Sequence, residues 1–115
     1  MSFRWPNKDP HEQLDYSVDW SRFLGSAKIE SVRWFIMSNE YKVKTEFKPL
    51  KTLSSASNGE TEDLIQNIAQ THTDTVATIN FGGGINNMEY TVWCMMTDTS
   101  QRVAERTLKL RVKDR

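Results

Sequence analysis

The residues of this chain that could do chemistry are few and scattered. His11 and His72 are the histidines, and a metal site needs three or four His, Cys or carboxylate ligands at short spacing. Neither histidine has a Cys or a second His at such spacing, so both read as solvated side chains and no metal is expected. A nucleophilic cysteine needs exposure and a basic neighbour. Cys94 lies in "TVWCMM", which predicts a small buried hydrophobe, and as the single cysteine it has no internal disulfide partner. Gly82-Gly83-Gly84 is followed by no Lys-Ser/Thr pair and opens no helix, so it predicts a hairpin loop in place of a phosphate cradle. No cofactor is expected.

Carboxylates and aromatics remain. Asp9, Glu12, Asp15 and Asp19 gather near the front of the chain, and the last strand and tail carry Arg102, Arg106, Lys109, Arg111, Lys113 and Arg115. Paired carboxylates can serve general acid–base catalysis, but these fall on the outward face of an alternating strand, where solvation explains them. Electrostatic pairing with the basic strand, within the molecule or between copies, is the sharper use, at roughly 0–1 kcal/mol per exposed pair. No catalytic residue is expected. Four tryptophans raise a glycan-binding module with Trp5 or Trp93 as stacking platform. Trp20 and Trp34 are predicted inward, Trp93 shares a face with Thr91 and Met95, and Trp5 reads as free.

The elements that would position these residues are strands, because apolar and polar side chains alternate with period two in window after window. In "LDYSVDW", Leu14, Tyr16, Val18 and Trp20 share one face, and a slip of one residue would bury aspartates. "IESVRWFIM" sets Val32, Trp34 and Ile36 against Arg33, Phe35 and Met37 and predicts a central strand, after a turn at Gly25-Ser26. "SNEYKVKTEF" predicts its hairpin partner, with Tyr41, Val43, Thr45 and Phe47 inward. "PLKTLSSASNGE", residues 49–60, predicts a loop. In "TEDLIQNIAQ", Leu64, Ile65 and Ile68 have helical spacing behind Thr61 and two acids, which predicts a short helix. "TDTVATINF", "EYTVWCMMT" and "RVAERTLKLRV" predict three more strands, the last with Leu108, Leu110 and Val112 inward. The fold expected is an all-β, immunoglobulin-like antiparallel sandwich of about seven strands with one short helix and Trp34 as a core plug.

A chain of 115 residues has room for one such domain. Its 15 basic and 15 acidic residues cancel, which speaks against nucleic acid as a partner. Its apolar runs are far short of the roughly 20 residues of a membrane helix, and residues 1–13 are too polar for a signal peptide. The chain is expected to work in the cytosol or inside a larger object carried out of a cell.

Before the first strand, "WPNKDPHEQ" is a polar segment punctuated by Pro6 and Pro10, so residues 1–13 are expected to form an extended arm in front of a sandwich at 14–115. With the strand it precedes, the segment carries the pattern Lys8-Asp9-Pro10, Glu12, Leu14-Asp15-Tyr16 and Asp19-Trp20-Ser21. That pattern resembles a family of small tailed-bacteriophage proteins, the fiber-tail adaptor or immunoglobulin-like virion structural proteins. The resemblance continues through Ile29, Ser31, Trp34, "THTDTVAT", Gly82-Gly83, Tyr90-Thr91-Val92, Glu105-Arg106 and Leu110-Arg111-Val112, nearly the whole chain. The chain departs from the family pattern at Ile79-Asn80-Phe81, where members carry a tryptophan before the glycines, and at Gln101, where they carry a glycine. Residues 39–68 also exceed the expected length.

The resemblance implies a non-enzymatic virion protein of the tail or neck, assembled in the host cytoplasm and present in multiple copies. Its partners would be other virion proteins: tail or neck adaptor, nozzle or fiber proteins. Head decoration and head-fiber roles belong to the same class. The arm would dock on a neighbour through Phe3, Trp5, Pro6, Lys8, Asp9 and Pro10, with Phe3 and Trp5 as anchors, since buried aromatics dominate interface energetics.

Overall fold

The computed structural model describes residues 2–9, 12–39, 42–49 and 65–113, with residues 2–4 described by their backbone alone. Among the described residues, eight strands and one short helix run in the order β1 (Ser2–Arg4), β2 (Leu14–Asp19), α1 (Ser21–Leu24), β3 (Ile29–Ser38), β4 (Thr45–Glu46), β5 (Gln66–His72), β6 (Val76–Gly82), β7 (Glu89–Asp98) and β8 (Val103–Arg111). They form a five-stranded sheet, β1-β8-β7-β3-β4, and a three-stranded sheet, β2-β6-β5. This order is that of an immunoglobulin-like sandwich, whose two sheets carry the C, F, G strands and the B, E, D strands. Among the described strands all pairings are antiparallel except that of β1 with β8, in which Phe3 lies beside Leu108, and a parallel bridge of Lys8 with Val112 continues it.

Alternation built the core as expected. Tyr16, Val18 and Trp20 on one sheet meet Trp34, Ile36, Val92, Cys94, Leu108 and Leu110 on the other, all buried. Trp34 stands beside Cys94 across the β3–β7 pair. Immunoglobulin domains of antibodies place a tryptophan of strand C against a B–F disulfide there. Here Cys94 is free and buried, and Trp20, following β2, fills the space with an indole. Burial pushes the Cys94 thiol up to about 12, with the Trp20 indole working against that shift.

Several local expectations are corrected. The helix expected over 61–70 is a strand in its described part: β5 pairs antiparallel with β6, with a bulge between Asn67 and Ala69. The bulge inserts one residue, so the apolar spacing is locally three instead of two. Residues 61–64 lie outside the described residues, as do Tyr41 and residues 50–60 of the expected loop. The short helix is instead α1, which ends at the turn expected at Gly25-Ser26. Asp19 Oδ1 accepts from the Ser21 N–H at its start (2.9 Å), and Gly25 at φ 60° ends it. The hairpin partner of β3 is a strand of two residues. Phe47 is buried as expected, whereas Val43 is 53% exposed.

Trp5, expected to be free, is 8% exposed. Its ring lies 4.9 Å from Tyr16, 5.8 Å from Phe81 and 6.2 Å from Trp34. The chain enters along the five-stranded sheet through β1 and crosses to β2 in the other sheet, so the residue at the crossing faces the gap between layers. Burying an indole there removes a large apolar surface from water, a gain that an exposed arm would forgo.

Candidate interaction surfaces

Backbone pairing and three side chains hold the arm in place. The Trp5 N–H donates to Lys109 O (2.9 Å), the Lys8 N–H to Arg111 O (3.0 Å), and the Lys113 N–H returns to Lys8 O (2.8 Å). Tyr16 Oη donates to Pro6 O at 3.2 Å. Lys8 is fully buried, and its ammonium donates to the carbonyls of Asp9 and Gly83. Desolvation lowers the Lys8 pKa, while the Glu12 and Asp9 carboxylates push it back up. Pro6 is exposed and Asp9 half-buried. Phe3 enters this description by its β1 backbone alone, and Pro10 and His11 lie outside the described residues. The described part of the arm thus runs along one edge of the sandwich beside β8, with Trp5 turned inward.

The outer face of the five-stranded sheet carries a second surface, whose two halves, Arg33-Phe35-Met37 and Trp93-Met95, the sequence reading had on separate strands without joining them. Phe35 stands directly opposite Trp93 across the β3–β7 pair, with Met37 and Met95 on the flanking rows. All four side chains are half-buried. Cations bracket the stripe. The Arg33 guanidinium lies 5.1 Å from the Phe35 ring centre, and the Lys44 ammonium lies 4.5 Å from that of Trp93 and 5.2 Å from that of Phe35. Both cations are also paired, Arg33 to Glu46 (2.9 Å) and Lys44 to Glu105 (3.1 Å). The alternation of β3 with apolar residues on both faces was the signal that could have revealed this stripe.

The remaining sequence candidates do not converge. His72 Nδ1 meets Thr73 O at 2.9 Å, and among the described residues no three His, Cys, Asp or Glu side chains gather where a metal could sit. Asp15 accepts from Asn80 Nδ2 at 2.8 Å, and Asp19 from the Ser21 N–H. Of the basic set, Arg102 pairs with buried Asp98 at 2.8 Å and reaches the Leu24 carbonyl at the end of α1 (3.2 Å). In place of the expected hairpin loop, Gly83 and Gly84 open the connection that crosses from β6 to β7 in the other sheet, with φ of 63° and 111°, and Gly83 supplies the carbonyl that receives Lys8.

By fold and surface, this is an immunoglobulin-like sandwich domain with an arm along one edge. The chain belongs to the family described as podophage GP4 fiber-tail adaptor protein gp77, whose family model matches residues 8–111. It is therefore a member of a family of phage tail structural proteins. No curated protein matches it. Among solved structures it is similar to Astrotactin-2, described as a conserved vertebrate-specific and perforin-like membrane protein involved in neuronal development. The alignment has 12% identity and a TM-score of 0.44, and covers 94% of this chain and 20% of that one. Nothing about that protein carries over at this level of similarity.

Proposed function

We propose that this chain links neighbouring proteins of a podophage tail or neck by protein–protein contact, in several copies per particle and without catalysing a reaction. The observation that carries this reading is the family match over residues 8–111. The surfaces are suited to the task. A stripe of Trp, Phe and Met flanked by Arg is the composition of interface centres, and a domain with so continuous a core offers it on a rigid support.

In this reading residues 1–13 serve as the arm and residues 14–115 as the body, and the protein is assembled in the host cytoplasm and resides in the virion. The arm meets a neighbour with its outward side, the edge of β1 with Pro6 and Asp9, while Trp5 braces that edge from within. An edge strand accepts a further strand through its unpaired backbone groups. A glycan-binding role is less well supported, because the Lys44 ammonium occupies the face of Trp93 on which a sugar would stack.

A density map of the assembled particle tests the proposal. The expected result is this sandwich at the tail or neck, with the arm edge or the Phe35–Trp93 face against another virion protein. Absence from the particle, or a position on the head alone, would overturn it.

A further inference from the structure

Four cations of this chain hold a carboxylate of their own: Lys28 pairs with Asp74 (3.8 Å), Arg33 with Glu46 (2.9 Å), Lys44 with Glu105 (3.1 Å) and Arg102 with Asp98 (2.8 Å). Lys109, Arg111 and Lys113 form no such pair with any described residue. They occupy every second position of β8 and its continuation, which the Lys113 N–H extends by donating to Lys8 O. They therefore stand in one row with the strand's two-residue repeat of roughly 6.6 Å. Lys109 is half-buried, and its ammonium donates to Thr91 Oγ1 at 2.7 Å, on a threonine that is 7% exposed. A hydroxyl fixes that ammonium in place and leaves its charge uncancelled. Arg111 is half-buried as well, and Glu89 opposite it in the β7–β8 register is one acid against three cations. Asp9 and Glu12, carboxylates of the arm, act on Lys8. Beside the row runs β1, where Arg4 holds the register position next to Lys109.

We infer that the row of Lys109, Arg111 and Lys113 docks an acidic, extended segment of a neighbouring virion protein, with carboxylates on alternate residues set against the three cations. This deepens the adaptor reading and rests on it. A partner that brings carboxylates here displaces no existing ion pair, whereas at Arg33 or Lys44 it would compete with Glu46 or Glu105. Alternate side chains of an extended peptide share the repeat of the row, so one register satisfies all three cations. Complementary charge of this kind selects the partner and its register. The row also adjoins the β1 edge, whose main-chain groups can accept an added strand, so a single segment reaches both. A phosphate backbone fits less well, because the chain as a whole is neutral and nucleic-acid binders carry a basic excess.

Covalent mapping on assembled particles tests this. A water-soluble carbodiimide joins an ammonium to a carboxylate only where the two already touch. It is expected to link Lys109 or Lys113 to an Asp or Glu of another virion protein. In the particle both lysines should also lose the reactivity toward an amine-acetylating reagent that they show in the isolated chain. Lys113→Glu, at an exposed position outside the core, should weaken capture of the linked protein about tenfold while the melting temperature stays that of wild type. Lysines as reactive in the particle as in the isolated chain overturn the inference. So does protection with no link to another protein's carboxylate, including protection that nuclease digestion abolishes. The adaptor reading is read separately: a chain found at the tail or neck with this row uncovered keeps that reading and loses the inference, and a chain missing from the particle loses both.

Discussion

The ammonium of Lys8 donates a hydrogen bond to the carbonyl of Gly83, which lies 75 residues further along the chain. This bond ties the arm to the turn between β6 and β7. A buried ammonium is costly unless its donors are satisfied, and Lys8 meets that need with main-chain carbonyls, Asp9 O being its second acceptor at 2.8 Å. The arm is thereby placed along β8 by contacts with a strand and a turn from the far end of the sequence.

Lys8→Ala removes this tie and strands the Gly83 carbonyl. The expected loss is about 1–3 kcal/mol, read as a lower urea midpoint, with faster amide exchange at Trp5 and Lys8. An unchanged midpoint would show that the lysine contributes nothing net.

Trp5→Ala separates an inward role from an outward one. With the indole packed on Tyr16, Phe81 and Trp34, the substitution should cost about 3–5 kcal/mol in thermal or urea unfolding. A Trp5 variant of native stability that had lost a virion partner would instead make this indole a direct contact.

Gly84→Ala should be destabilising for two independent reasons. The residue adopts φ 111°, which side chains other than glycine rarely accept, and a Cβ there would lie 2.7 Å from Val112 Cγ2. A cost of about 1–3 kcal/mol is expected. Gly25→Ala would share the unfavourable φ but meet nothing within 4 Å, and so should cost less; equal costs would refute the steric part.

Stability should fall at alkaline pH. Burial raises the Cys94 thiol from 9.0 to about 12, and the Tyr90 hydroxyl from 10.0 to about 12. Both groups are protonated in the folded and unfolded chain below pH 9, so their contribution is complete there. As pH rises toward 12, the unfolded chain loses its protons first, and the folded state is progressively disfavoured. Lys8 acts in the opposite sense, since its pKa is lowered from 10.5, but it is one group against two. Melting temperature should therefore decline above pH 9, and Cys94→Ala should move the onset toward the 10.0 of an ordinary tyrosine. A flat profile from pH 8 to 11 would contradict this account.

Strands whose faces differ were legible in the sequence, because a period-two pattern is a local property of the chain. Leu14 to Trp20, Val76 to Phe81 and Thr107 to Val112 each carried it, and with the turn residues between them they determined an all-β sandwich. The opening pattern around Lys8-Asp9-Pro10 likewise pointed to the adaptor family that the match over residues 8–111 shows. β5 was misread because its bulge between Asn67 and Ala69 breaks that period. Only the tertiary structure decided where the arm goes. A polar stretch of sequence holds no sign that Trp5 will find Tyr16, Trp34 and Phe81, that Lys8 will find the Gly83 carbonyl, or that β1 will lie parallel to β8. The same holds for the stripe of Phe35 and Trp93, residues of two strands that become one surface through their register. These contacts join residues far apart in the chain, so the information that specifies them resides in the packing of two sheets and in no single segment.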